Sequence, residues 1–259
     1  MELTVDLNAD VGESIGVHHY GDDEGVMPFI TSANIACGFH AGDPGVMRAA
    51  VALALAHGVS VGAHPGLPDL VGFGRREMQV SPRDVEDLVA YQVGALAGIA
   101  AGQGVRLAHV KPHGALYNMA ARDRALADAV VQGIRTVDGT LAVFGLSNSK
   151  LIDAAAHAGL AAVSEAFADR GYTADGRLAP RGLPGAVVSS ADDVMTRAVD
   201  MVRRKRVLAL DGSVVALAVD TLCLHGDTPG AAELARLVRG ALEAARIMVA
   251  PIRPSARPT

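Results

Sequence analysis

The chain has 259 residues, enough to bury one substantial core. Hydrophobic residues make up 50% of it and charged residues 20%, which excludes a disordered chain. Aromatic residues are scarce at 3%, Trp is absent and the net charge is -5, so stacking on sugars or bases and binding of nucleic acid are not expected. The core is instead expected to consist of closely packed Ala, Val and Leu.

In chain order, short apolar runs alternate with Ala-rich amphipathic stretches. The apolar runs predict seven strands, over 3–7, 30–35, 60–63, 106–110, 141–144, 161–164 and 219–224. Capping signals predict five helices, over 44–57, 81–102, 148 or 149 to 157, 190–203 and 228–247. An inserted β-hairpin is predicted over 206–216, with Asp211 and Gly212 at its turn.

Strand–helix alternation of this kind is typical of a parallel sheet with right-handed crossovers. Seven such strands favour a distorted α/β barrel over an open sheet. We expect a single domain over residues 1–250 and a flexible tail over 251–259, which is rich in Pro and Arg.

The cellular setting is expected to be the cytoplasm. The first residues lack the basic and apolar regions of a signal peptide, and the most apolar run, 214–219, is too short to span a membrane. The two cysteines, Cys37 and Cys223, form no CxxC pair, which fits a reducing compartment.

Polar residues follow most of the predicted strands. Because parallel strands end on one face of a barrel, these residues are expected to converge there around one pocket. They are Asn8, Asp10 and Glu13 after the first strand, His40 after the second, His64 and Arg75 after the third, Lys111, His113, Tyr117 and Asn118 after the fourth, Glu165, Asp169 and Arg170 after the sixth, and His225 and Asp227 after the last.

Helix capping is the alternative explanation for polar residues at strand ends. Asp43 and Thr228, each before a proline, fit simple N-caps equally well. Capping does not explain four histidines in equivalent positions, so at least three of His40, His64, His113 and His225 are expected to share a site. In contrast, His57 and His157 precede glycines at helix ends and are expected to be structural, and His18, His19 and His109 carry no comparable signal.

The chemistry of these residues leaves alternatives open. Asp10, His40 and His64 suit a divalent metal such as Zn²⁺, Mn²⁺ or Fe²⁺, or a metal-free acid–base site. Cys37 and Cys223 are expected to be small buried residues rather than nucleophiles. Lys111 fits either a point charge for an anion or a structural ion pair.

Nucleotide-binding and esterase motifs are absent from the sequence. There is no GxxxxGK[ST] loop, no complete dinucleotide fingerprint and no GxSxG elbow. If ATP takes part in the reaction, another chain is expected to supply its main binding site.

Seven segments of the chain resemble the LamB/YcsF family in residues and in order. They are 6–13 (DLNADVGE), 32–44 (SANIACGFHAGDP), 62–66 (GAHPG), 72–76 (GFGRR), 110–118 (VKPHGALYN), 165–170 (EAFADR) and 225–229 (HGDTP). Ala9 and Val11 depart from the family's usual residues, and neither change removes a functional group. The resemblance implies a distorted β/α barrel related to the glycoside hydrolase/deacetylase superfamily.

The resemblance also implies a function. With partner subunits B and C, such a chain would convert 5-oxo-L-proline, ATP and water to L-glutamate, ADP and phosphate. ATP would be a co-substrate bound with the partners, and a divalent metal and a homo-oligomer both stay open.

Residue roles follow from that reaction as hypotheses. Lys111, Arg75 or Arg170 would bind the carboxylate or phosphate. Asp10 with His40 or His64 would activate water, and Glu165, Asp169 or His113 would be the acid. His225 is placed with the catalytic residues, and the expected substrate contacts also include Asn8, Glu13, Tyr117, Asn118 and Asp227.

Two other functions are weighed against this one. The first is a stand-alone, metal-dependent amidohydrolase or deacetylase, which would be active as a lone chain and bind a stoichiometric metal. The second is a non-catalytic subunit that only binds substrate or partners, in which the strand-end residues would be replaceable without loss of turnover.

Overall fold

The fold is given by a computed structural model that describes residues 3–224 and 230–252. Within these residues the strands are β1 (Leu3–Val11), β2 (Ser32–Ala36), β3 (Ser60–His64), β4 (His109–Val110), β5 (Ala142–Leu146), β6 (Ala162–Phe167), β7 (Arg206–Leu208), β8 (Val214–Ala216), β9 (Thr221–Leu224) and β10 (Ile247–Val249). The helices are α1 (Asp23–Val26), α2 (Pro44–His57), α3 (Pro82–Ala101), α4 (Gly114–Arg122), α5 (Arg124–Val137), α6 (Lys150–His157), α7 (Ala191–Arg204) and α8 (Ala231–Ala244), with a 3-10 turn at Met27–Phe29.

Seven parallel strands close into a barrel in the order β1-β2-β3-β4-β5-β6-β9, because β9 pairs with both β6 and β1. β10 adds a further parallel pairing to the first residues of β1, with Leu3 opposite Ile247. The antiparallel pair β7–β8 is separate and matches the predicted hairpin. The predicted barrel of about seven parallel strands is confirmed.

Helix ends agree with the capping signals. The Asp43 carboxylate accepts from the backbone N–H groups of Gly45 and Val46 at the start of α2, and Gly58 caps the other end with a φ of 65°. His57 and His157 lie in the last turns of α2 and α6, as expected of structural residues. Asp43 is therefore an N-cap.

Four elements were not predicted, α1, α4, α5 and β10, and neither was the 3-10 turn at Met27–Phe29. The spacing of Leu126, Val130 and Ile134, all buried, is the amphipathic pattern of a helix, and the Asp123 side chain caps α5. β10 has three residues and begins where the last helix was expected to end. The separation into a domain over 1–250 and a tail stays a prediction, and residues 253–259 lie outside the described part.

The apolar core consists mainly of Ala, Val and Leu, as expected, whereas the interior of the barrel carries polar residues. Along β1, Leu7, Ala9 and Val11 join the apolar core, whereas the alternating Asp6, Asn8 and Asp10 make polar contacts within the barrel. Inward and outward residues alternate along a barrel strand, so the apolar packing lies on the other face of β1.

This alternation also explains why several strands are longer than predicted. Asn8 and Asp10 lie within β1, and Glu165 lies within β6, rather than in the loops that follow.

In the described part of the chain, no helix is long and apolar enough to cross a bilayer.

Candidate active site

A cavity of about 420 Å³ opens where the strands of the barrel end. Of the residues predicted for the site, its lining includes Asp10, His64, Arg75, Lys111, His113, Tyr117, Asn118 and Arg170. They come from β1, β3, α4 and the loops that follow β3, β4 and β6. The predicted convergence thus brings residues from distant parts of the sequence to one cavity.

Lys111 lies at the centre of the polar interior. Its Nζ is 2.9 Å from Asp10 Oδ1 and 2.9 Å from Glu165 Oε1. It also donates to Asn8 Oδ1 at 3.1 Å and contacts Cys223 Sγ at 3.0 Å. These partners belong to the neighbouring strands β6, β9 and β1, whereas Lys111 follows β4. The ammonium therefore connects the end of β4 to strands across the barrel.

The charge on Lys111 is held by its carboxylate neighbours. Burial alone would lower the pKa of Lys111, but the nearby Asp10 and Glu165 outweigh it and leave that pKa well above its usual range. An ammonium has three hydrogens, and here they are shared among four acceptor atoms. Lys111 therefore positions Asp10 and Glu165.

The two carboxylates have different exposure. Glu165 is fully buried and accepts a hydrogen bond at 2.7 Å from the Tyr117 hydroxyl. The Asp10 side chain is 13% exposed and lines the cavity, with Oδ1 bound to Lys111 and to Asn34 Nδ2. Asp10 is thus the carboxylate that can meet a ligand.

A hydrogen-bonded chain continues from Lys111 into the barrel. Asn34 donates to Asn8 Oδ1 at 2.7 Å, and His109 Nε2 lies 2.8 Å from Asn34 Oδ1. Since that amide oxygen is an acceptor, His109 donates from Nε2, and burial lowers the pKa of His109 to about 3. Asn8 is fully buried within this series of hydrogen bonds and helps to hold Lys111.

Asp6 lies at the far end of the polar interior. It accepts hydrogen bonds from the hydroxyls of Thr31, Ser32 and Thr221. Burial raises the pKa of Asp6 despite these donors. Asp6, Asn34, His109 and Thr221 were not predicted as part of the site; the signal that could have found them is the alternation of polar residues within apolar strands.

His64 and His113 face each other across an N–N distance of 3.0 Å, from His113 Nδ1 to His64 Nε2. The other nitrogen of each ring is committed to a carbonyl: His64 Nδ1 donates to Lys111 O at 2.7 Å, and His113 Nε2 donates to Phe73 O at 2.8 Å. Two neutral rings held in these tautomers would point lone pairs at each other. A cation, either a proton or a metal ion, is needed between them.

His40 and Glu13 complete the histidine cluster. The His40 ring stacks on His113 with centroids 3.7 Å apart, and Glu13 Oε1 is 3.5 Å from both His40 Nε2 and His113 Nδ1. Burial foremost, then the neighbouring His113 and His64, hold the pKa of His40 well below its usual range. Glu13, His40, His64 and His113 are all buried, with ligand atoms within 4.8 Å of one another, so they could hold a metal ion.

The metal-ligand set suggested by the sequence differs from this one. It shares His40 and His64, whereas Glu13 and His113 take the place of Asp10. Asp10 remains adjacent, with Oδ2 at 3.3 Å from His64 Nε2. Of the two histidines proposed to act with Asp10, His64 is therefore the neighbour, and His40 lies behind His113.

Two glycines allow the rings to pack this closely. A Cβ on Gly66 would lie 2.5 Å from His40 Nδ1, and one on Gly74 would lie 2.7 Å from His40 Cβ and 2.8 Å from His113 Cδ2. Gly74 also has a φ of +63°, which disfavours other residues. The glycines in the third and fourth family segments thus keep space for the imidazoles.

The loop from β6 to α7 (168–190) forms part of the rim. Arg170 donates to the carbonyls of Ala179 and Ala186, so its guanidinium anchors this loop although it also lines the cavity. The loop adds Arg177 and Arg181 to the lining, together with Arg75 from the loop after β3. These arginines make the rim basic.

The remaining predicted residues have different locations. Asp169 is buried at the start of this loop and is not among the lining residues within the described ranges. Asn118 lines the cavity from α4 and is exposed. His225 and Asp227, together with the cap predicted at Thr228, lie outside the described residues.

Both cysteines are free and buried, as expected. Burial raises the pKa of the Cys37 thiol to about 12, and its Sγ donates to the carbonyl of Ile35. Cys223 is more than a small hydrophobic residue, because its sulfur contacts Lys111. Burial raises the pKa of Cys223 as well, so neither thiol is set up as a nucleophile.

The fold and site define a parallel α/β barrel with a buried Lys–carboxylate centre and a histidine cluster beside one cavity. The chain belongs to the LamB/YcsF family, whose model matches residues 5–257. It is 58% identical over 243 residues to a protein of Bordetella pertussis that is named as the A subunit of 5-oxoprolinase, covering 94% of this chain and 96% of that one.

Two further relatives agree. A Bacillus subtilis protein of the same name is 50% identical over 248 residues, covering 96% of each chain. The crystal structure of the lactam utilization protein from Thermus thermophilus matches with a TM-score of 0.91 and 50% identity, over 96% of this chain and 100% of that one.

Proposed function

We propose that this chain is the A subunit of an ATP-dependent 5-oxoprolinase, which opens 5-oxo-L-proline to L-glutamate together with partner subunits B and C. The observation that carries the proposal is the cavity at the barrel mouth, in a chain that matches proteins named as the A subunit of 5-oxoprolinase over nearly its full length. Its volume of about 420 Å³ suits a small ligand.

The charges around the cavity suit a lactam that carries a carboxylate. Arg75 and Arg181 on the rim carry guanidinium groups, which bind carboxylate or phosphate through paired hydrogen bonds, and Arg177, which pairs with Asp175, lies on the same rim. Asp10 lines the same cavity. The substrate carboxylate is thus proposed to lie toward the rim and the amide toward Asp10.

Asp10 is proposed as the general base. Lys111 and Asn34 both donate to its Oδ1, and its Oδ2 is directed at the histidine cluster beside the cavity. Asp10 would take a proton from the attacking water and return it to the departing ring nitrogen. Positioned acid–base groups contribute about 10²–10⁴-fold to rate.

ATP is proposed to reach the reaction through the partner subunits. Opening an unstrained five-membered amide is unfavourable near neutral pH, so coupling to ATP supplies the driving force, and this sequence carries no P-loop. The two free cysteines fit the reducing cytoplasm as the place where this occurs.

The test is reconstitution of this chain with subunits B and C and measurement of glutamate and phosphate release. We expect both products only when all three chains and ATP are present, and little or no turnover by this chain alone. ATP-coupled turnover by the lone chain would contradict the partner requirement, and release by B and C without this chain would contradict the proposal.

A metal-dependent amidohydrolase acting alone is the second candidate. The cluster of Glu13, His40, His64 and His113 is the observation that favours it. Hydrolysis of an N-acyl substrate by the lone chain, without ATP and with a bound metal, would select this function instead.

A further inference from the structure

We infer that Glu13, His40, His64 and His113 form a binding site for one divalent transition-metal ion, of the Zn²⁺, Mn²⁺ or Fe²⁺ class. The site is proposed from the donor atoms of these side chains. It is independent of which reaction the chain performs.

The spacing of the donor atoms fits a metal. His113 Nδ1 and His64 Nε2 are 3.0 Å apart, and Glu13 Oε1 is 3.5 Å from both His113 Nδ1 and His40 Nε2. In a tetrahedral site with metal–ligand bonds of about 2.1 Å, neighbouring donors lie about 3.4 Å apart. The four donor atoms all lie within 4.8 Å of one another, so they can share an ion once the His40 ring tilts out of its stack on His113 and its plane contains the ion.

The hydrogen bonding of the histidines also calls for a cation. Both ring nitrogens of His40 are buried and have no hydrogen-bond partner in residues 3–224 and 230–252. Polar atoms buried in this way are costly unless they are paired. A metal ion would satisfy one nitrogen of His40 and would also separate the lone pairs of His64 and His113.

The surroundings hold the rings as a metal site requires. Carbonyl oxygens of Lys111 and Phe73 accept from the far nitrogens of His64 and His113, which is the usual outer contact of metal-bound imidazole. Three imidazoles and one carboxylate favour Zn²⁺, Mn²⁺ or Fe²⁺ over Mg²⁺ or Ca²⁺. Since His64 and His113 line the cavity, an ion here would supply a Lewis acid at its wall.

Asp10 lies beside the four proposed ligands and is not one of them. Its Oδ1 accepts from Lys111 and Asn34, and its Oδ2 is 3.3 Å from His64 Nε2. Asp10 thus borders the position of the ion, and the negative charge of Asp10 is already balanced by Lys111.

The test measures metal on the isolated chain, without ATP or partners. The protein is stripped with a chelator, then titrated with Zn²⁺ or Co²⁺ while bound metal is counted by elemental analysis and the visible absorption of Co²⁺ is recorded. We expect stoichiometric uptake by the wild type and a rise in its melting temperature with Zn²⁺. His40→Ala and Glu13→Gln should each weaken binding at least about tenfold.

Matched controls are His57→Ala and His157→Ala, which remove exposed histidines at helix ends and should bind metal like the wild type. Glu13→Gln keeps the side-chain size, so its metal binding still tests the proposed site if His40→Ala fails to fold. A folded wild type that binds no ion would overturn the site and leave a shared proton between His64 and His113. Unchanged binding by Glu13→Gln would also overturn it.

Discussion

A Lys111→Met variant removes the ammonium that contacts Asp10 and Glu165, each at 2.9 Å, and keeps a side chain of similar length. Lys111 is 2% exposed and Glu165 is 0% exposed, so water screens their charges little. Removing one partner of a buried ion pair costs about 3–5 kcal/mol, because the other charge is left uncompensated. At about 2–4 °C per kcal/mol for a chain of this size, the melting temperature should fall by roughly 6–20 °C.

Scanning calorimetry of the isolated chain measures this change. Lys150→Met is the matched control, because Lys150 is exposed at the start of α6 and its loss should change stability by no more than about 0.5 kcal/mol. Adding Glu165→Gln to Lys111→Met removes one uncompensated charge and should restore part of the loss. If Lys111→Met melts like Lys150→Met, the ion pair does not hold the barrel interior together.

Two further predictions concern groups around this centre. In the unfolded chain His109 becomes protonated below about pH 6.5, whereas in the folded chain it stays neutral down to about pH 3. Stability should therefore fall with acid by up to about 1.4 kcal/mol per pH unit for this group, and His109→Gln should reduce that slope in urea unfolding at stepped pH. Gly74→Ala should destabilise more than Gly104→Ala: both positions have positive φ, but only at Gly74 would the new Cβ strike His40 and His113. Equal losses in the two alanine variants, measured by the same unfolding assay, would mean that backbone strain alone is responsible.

The sequence predicted the strands of the barrel better than it predicted where they end. Apolar runs located all seven barrel strands, because outward residues such as Leu7 and Ala9 pack in the apolar core. The same rule ended β1 too early, since Asn8 and Asp10 are polar residues of a strand that face a polar interior. The sequence of a strand with one polar face inside a barrel therefore resembles the sequence of a short strand followed by a loop.

The site was predicted in its members more than in its contacts. Histidines after strands pointed to His40, His64 and His113, which do share one cluster. The exchange of Asp10 for Glu13 in the candidate metal set could not be predicted, because it depends on Lys111 binding Asp10 from across the barrel. Such pairings between distant segments have no spacing signal in the sequence.

The proposal that this chain opens the lactam in its own cavity is tested most directly by glutamate release from a complex assembled with an Asp10→Asn chain. His57→Ala, at the exposed end of α2, is the matched control. We expect Asp10→Asn to lower kcat by about a hundredfold or more, while the complex still assembles and the control keeps full activity. Turnover by the Asp10→Asn complex equal to that of the wild type would contradict the account and leave this chain a non-catalytic subunit.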